Sequence, residues 1–173
     1  MSKTVENLKA AFAGESQARN KYTYFAEVAR NEGYHYIAKL FEETAENERQ
    51  HAKNEFMLLK GIGDTIANLK EAIGGEDYEV KSMYPDFAAQ ADAEDNREAA
   101  NLFRQIAKIE AHHRDRYQKI LEMVENETVY KREQPIKWKC GVCGYIVEGT
   151  EPPPKCPSCK QTREYYEPAN LDL

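Results

Sequence analysis

The chain has 173 residues, with 24 Lys and Arg against 30 Asp and Glu, for a net charge of −6. That balance argues against nucleic acid or an anionic membrane as the main partner. No stretch approaches the apolar length of a membrane-spanning helix, and the N-terminal MSKTVENLKAAF lacks the basic-then-apolar build of a secretory signal, so a cytoplasmic protein is expected.

Residues 4 to about 127 contain a single proline, Pro85, and repeat apolar residues at spacings of three and four, which predicts helices. The first runs from about Thr4 to Arg30, with Leu8, Phe12, Glu15, Tyr22 and Ala26 on one stripe, and stops at Asn31-Glu32-Gly33. The second runs from about Tyr34 to Lys60, with Ile37, Phe41, Thr44, Glu48 and His51 in line, and stops at Gly61. Asp64 or Thr65 can cap a third, whose stripe is Leu69, Ile73, Glu76, Met83 and Phe87. Pro85 should kink that segment or end its first half. A fourth starts near Asn96 and carries Leu102, Ile106, Glu110, His113, Tyr117 and Val124. The links imply antiparallel pairs, first with second and third with fourth. After Gly61 the sequence leaves two readings open: a short link, or a partial crossover with the third bundle helix starting later.

Asn126 to Lys137 is polar and aperiodic, and from Trp138 the composition turns to Cys, Pro, Gly and aromatics. The expected domains are residues 1–128 and 137–173, joined by a linker at 129–136.

Each half of the helical region holds a lone mid-helix acid, then a Glu-x-x-His tetrad. Glu15 precedes Glu48-Arg49-Gln50-His51, and Glu76 precedes Glu110-Ala111-His112-His113. Residues three apart share a helix face, so each tetrad aims a carboxylate and an imidazole the same way. Buried acids without a cation cost several kcal/mol each or protonate, and a metal pair removes that cost. Two such tetrads plus two single Glu residues are the parts of a carboxylate-bridged dimetal site in a helical bundle. Oxygen-rich ligation with two nitrogens and no sulfur suits iron or manganese. Glu48 and Glu110 would bridge, His51 and His113 would each take one metal, and Glu15 and Glu76 would cap. Glu79 lies one turn beyond Glu76 and offers a seventh ligand that breaks the symmetry. Tyr22 and Tyr84 are placed to hydrogen-bond ligand carboxylates.

Cys140, Cys143, Cys156 and Cys159 form two C-x-x-C knuckles with 12 residues between them. In a chain without an export signal they read as metal ligands, and the spacing suits zinc or iron equally. A redox dimetal site needs electrons singly, which a one-iron centre supplies. Trp138, Tyr145, Tyr165 and Tyr166 are the expected packing around it.

These motifs together resemble the rubrerythrin family. The carrying stretches are Ala13-Gly14-Glu15-Ser16-Gln17-Ala18-Arg19, Glu48-Arg49-Gln50-His51-Ala52-Lys53, Gly75-Glu76-Asp77-Tyr78-Glu79 with Met83-Tyr84-Pro85, Glu110-Ala111-His112-His113, and the rubredoxin-like cysteine module. The resemblance implies a mainly α protein, a ferritin-like four-helix bundle followed by a small rubredoxin-like domain. It implies a dinuclear iron site, a mononuclear four-cysteine iron site, homodimers, and a peroxidase that reduces hydrogen peroxide to water in oxidative-stress protection. It further implies that His51 and Glu79 exchange as ligands of one iron. One departure is Lys160 after the second knuckle, where rubredoxins often have Gly. No Gly-rich nicotinamide or flavin fingerprint occurs, so NAD(P)H oxidation falls to a partner, an external reductase or a rubredoxin. A ferritin-like ferroxidase handling iron is the alternative, which the four-cysteine module and Glu79 disfavour. A zinc-ribbon interaction protein is a weaker one.

Overall fold

A computed structural model describes residues 2–170. It divides into two compact units between Gly63 and Asp64, and each is described separately.

The first unit is an antiparallel hairpin of α1 (Lys3–Asn31) and α2 (His35–Leu58). Ser2 caps α1, its Oγ accepting from the Val5 N–H at 3.4 Å. The turn closes because Gly33 takes φ +85°, which lets the Tyr34 N–H donate back to Ala29 O at 2.8 Å and satisfy a terminal carbonyl. Alanines form the seam: Ala26, Ala29, Ala38, Ala45 and Ala52 are the buried apolar side chains. Phe12 stacks on Phe56 with ring centroids 4.9 Å apart. The predicted apolar stripes are therefore only partly covered: Ile37 stays exposed, as do Phe25 and Leu40, which lie outside those stripes. Small seam residues let the helices approach closely, and the larger side chains are displaced to the hairpin's open faces.

In the second unit Asp64 caps α3 (Thr65–Tyr78), its Oδ1 accepting from the Ala67 N–H at 2.8 Å. The third segment thus starts where its pattern begins, and the crossover reading of the stretch after Gly61 is overturned. Pro85 acts as expected, with a twist. Lacking an N–H, it cannot continue the i−4 ladder, and the chain widens into a π turn over Glu79–Met83 before α4 (Tyr84–Ala93). The Tyr84 N–H accordingly reaches back five residues to Glu79 O. Asn96 then caps α5 (Arg97–Glu125). Ala88, Ala91 and Ala100 are buried here, while Leu102 remains exposed.

The C-terminal module is a three-stranded antiparallel sheet in the order β2-β1-β3: β1 (Ile136–Cys140), β2 (Ile146–Gly149) and β3 (Tyr166–Pro168). Trp138, central on β1, is fully buried and pairs with Val147 on one side and Pro168 on the other. Its Nε1 donates to Gly149 O at 3.0 Å, and the Arg132 guanidinium lies 5.2 Å above the ring. With Cys140, Cys156 and Tyr166 it makes the module's core. Tyr145 and Tyr165, expected there too, are largely exposed.

Candidate metal centres

On α1 and α2, Glu15, Glu48 and His51 converge, with ligand atoms within 4.8 Å of one another. His51 Nδ1 stands 2.8 Å from Glu48 Oε2 and 3.9 Å from Glu15 Oε2. The two carboxyls share a hydrogen bond, which raises Glu15 above the usual carboxylate range and lowers Glu48. Two carboxyls this close favour one shared proton over two adjacent charges.

The second unit repeats the arrangement with Glu76, Glu110 and His113. His113 Nδ1 is 2.6 Å from Glu110 Oε2 and 3.8 Å from Glu76 Oε1. Burial first, then the Glu110 charge, pushes Glu76 up, and Glu76 Oε2 is buried without a hydrogen-bond partner. An orphaned, buried carboxylate oxygen beside a second carboxylate and an imidazole is what a cation would satisfy. In both triads the same ring nitrogen, Nδ1, faces the acids, so it is the atom that would ligate. The helix register explains the likeness. Glu and His three apart share a face, and a lone acid on the antiparallel neighbour meets them.

Glu79 begins the π turn and is half-buried. Its charge acts on Glu76 and on Tyr84, which places it beside the second triad. Burial, then Glu79, Glu110 and Glu76, raise the Tyr84 phenol above its ordinary value, as expected of a hydroxyl surrounded by carboxylates. Tyr22 is differently placed, among Phe25 and Phe41 with ring centroids 6.2 Å away.

Three features lay outside the sequence reading. Glu55, one turn past His51, has a buried Oε2 with no partner and adds to the charge felt by Glu15. Arg114 pairs with Asp77 at 3.4 Å and ties α5 to α3 beside Glu76. The π turn itself is the third. Only the i+4 spacing of Glu55 from His51 could have flagged the first.

The four cysteines close a separate cluster. Cys140 Sγ lies 3.7 Å from Cys159 Sγ, and Cys143 Sγ lies 3.6 Å from Cys156 Sγ. Metal–sulfur bonds of about 2.3 Å in a tetrahedron require edges of about 3.8 Å, whereas a disulfide brings sulfurs to about 2.05 Å. The cluster fits a tetrahedral ion. Burial opposes charge on Cys156, yet the adjacent Tyr166 hydroxyl and the N–H groups of Cys159 and Ser158 outweigh it and bring it down to about 6. The Gln161 N–H favours the Cys159 thiolate, but burial and the other sulfurs push it up to about 12. Four thiols that cannot all ionise without a cation are again a site built for one.

Lys160 keeps the turn that its missing glycine put in question. Its φ is +64°, close to the +75° of Gly144 after the first knuckle, and its N–H donates to Cys156 O at 3.0 Å.

A family profile described as "Rubrerythrin" matches residues 6–121, and one described as "Rubrerythrin, rubredoxin-like domain" matches residues 138–167. The rubrerythrin of Porphyromonas gingivalis is 46% identical, the match covering 96% of this chain and 90% of that protein. The rubrerythrin of Clostridium perfringens is 44% identical over 96% of this chain and 94% of its own length. A solved structure of nigerythrin in a partially reduced state shares 34% identity over 97% of this chain and 87% of that one, with a TM-score of 0.38.

Proposed function

Since the chain belongs to the rubrerythrin family, an oxidoreductase with a di-iron site and a four-cysteine iron site, we propose that it is a peroxidase reducing hydrogen peroxide to water. The observation that carries the reading is the duplicated acid–His triad sharing one chain with a four-sulfur cluster. Iron storage needs no electron input, and peroxide reduction does. The dinuclear iron, when bound, supplies Lewis acidity and reducing equivalents.

The chain's residues do the rest. Glu15, Glu48, His51, Glu76, Glu110 and His113 would hold the two irons, Glu48 and Glu110 as shared carboxylates, Glu15 and Glu76 as terminal ones, and one imidazole for each iron. Glu79 would offer a hard, anionic oxygen and His51 a neutral nitrogen, donor types that suit oxidised and reduced iron respectively. Tyr84, held protonated among carboxylates, donates to them and keeps them oriented. Cys140, Cys143, Cys156 and Cys159 would hold a single iron, which supplies one-electron chemistry when bound. The electrons come from an external NAD(P)H-linked reductase or a rubredoxin, in the cytoplasm, as protection against oxidative stress. Residues 1–128 and 137–173 are the two domains, with 129–136 linking them.

The test is Glu79→Ala. It removes one carboxylate beyond what a symmetric site requires, so the metal pair should stay bound. Oxidation of the anaerobically reduced protein by peroxide should slow on the order of 100-fold. A variant that reacts with peroxide as fast as the parent would favour the ferroxidase reading instead.

A further inference from the structure

Two adjacent tyrosines at the start of β3 face different ways, as successive residues of an extended chain do. Tyr165, the last residue of the turn before the strand, is 52% exposed, and Tyr166, the first of the strand, is 4% exposed. Tyr166 pairs with Cys140 across the sheet and packs into the core with Trp138, Cys140 and Cys156. Packing of that kind needs only the ring, which phenylalanine would supply. The hydroxyl is an addition, and its oxygen is buried without a hydrogen-bond partner. A buried hydroxyl costs free energy unless an acceptor meets it. The ionisable groups that bear on this one are sulfurs, Cys156 first and then Cys140 and Cys143. A neutral thiol is a weak acceptor, whereas a metal-bound thiolate carries charge and accepts strongly.

We propose that Tyr166 donates its O–H to Cys156 Sγ in the iron-loaded module and thereby raises the reduction potential of the four-cysteine iron. The inference rests on the iron reading of the cluster and not on the peroxidase reading. The sulfurs also receive backbone N–H groups: Cys143 that of Tyr145, Cys159 that of Gln161, and Cys156 those of Cys159 and Ser158. Tyr166 gives Cys156 a side-chain donor besides, which a substitution can remove without touching the backbone. The O–H is present at neutral pH, since phenols ionise only at about pH 10. Four thiolates on ferric iron leave one net negative charge, and on ferrous iron two. A donor stabilises the more negative state more, so it favours the reduced iron. Removing one such bond should shift the ratio of reduced to oxidised iron about fivefold at a fixed potential. That is about 40 mV, at roughly 59 mV per tenfold for one electron.

Spectroelectrochemistry of the full-length protein tests it, read at the visible iron–thiolate band of the four-cysteine site. Tyr166→Phe keeps the ring and removes the donor. Its potential should fall by about 40 mV with the iron retained. Its ferric band should also move to longer wavelength, because a sulfur without that donor gives up electron density more readily. Tyr165→Phe alters the exposed neighbour and should leave both unchanged. A Tyr166→Phe potential equal to the parent's, or higher as water entering the core would make it, overturns the proposal, as does an equal fall in Tyr165→Phe. 3-Fluorotyrosine placed at position 166 makes the hydroxyl a stronger donor on the same ring and should raise the potential. If it does not, the proposal fails even where the phenylalanine variant has lost its iron. A parent whose cysteines bind no iron removes the site and the bond together, while an unchanged potential with peroxide turnover intact removes the bond alone.

Discussion

The two cysteine knuckles end in left-handed residues of different kinds, Gly144 at φ +75° and Lys160 at φ +64°, and exchanging their chemistry gives a calibrated test. A β-carbon added to Gly144 would meet nothing within 4 Å, so Gly144→Ala is a pure backbone penalty. Left-handed geometry costs an L-residue about 1–2 kcal/mol. Metal binding and folding are coupled in a module this small. The penalty should therefore appear as iron leaving about 5- to 30-fold faster. Lys160→Gly removes the same penalty, but gives back part of it through glycine's larger unfolded-state entropy. It also loses the exposed bond from Lys160 Nζ to Pro157 O at 2.8 Å. The net gain is about 0.5–1 kcal/mol, and iron should leave roughly 2- to 5-fold more slowly. The assay is loss of the visible iron–thiolate band under excess chelator, followed for parent, each variant and the double variant. If Lys160→Gly releases iron faster, or Gly144→Ala changes nothing, the left-handed geometry is not what governs the knuckles.

Cys156→Ser should abolish the red colour of the oxidised protein and its reductase-linked turnover, while leaving the dimetal content intact by metal analysis. Glu48→Ala removes a proposed shared ligand and should leave the other acids uncompensated, losing at least one iron and destabilising the helical region by about 3–5 kcal/mol in chemical denaturation. Metal-free protein should melt higher on mild acidification. Glu15 and Glu76 bind a proton more tightly folded than unfolded, so the stability they contribute is full below the unfolded value and lost as pH rises through their raised folded values. Glu48 shifts the other way, which blunts the effect in the first hairpin. A melting temperature flat across that range in chelated protein would contradict the uncompensated-acid account.

Much of this was legible in the residues. Gly33 ends α1 where a left-handed residue is needed, and the i,i+3 spacing of Glu48 with His51 and Glu110 with His113 dictates the convergence that the fold displays. Lys60, Asp95 and Glu127 were less readable, since each ends a helix in the left-handed region without being glycine. The π turn was half legible. Pro85 announces a break in the ladder, but whether a helix kinks or widens depends on packing around Glu79 that no local pattern encodes. The start of α3 was undecided for a similar reason, because a capping Asp64 and a crossover both suit the same residues. The Arg114–Asp77 pair joins residues 37 apart, and the buried Glu55 oxygen depends on tertiary burial. Neither leaves a local trace.

Peroxide, not O2, is the proposed oxidant of the reduced dinuclear iron. Stopped-flow mixing of anaerobically reduced parent protein with one equivalent of hydrogen peroxide, and separately of O2, separates the two. Peroxide should oxidise the dinuclear site in the fast phase, well ahead of O2, with the four-cysteine iron following as electrons pass inward. Faster oxidation by O2 than by peroxide would contradict that assignment.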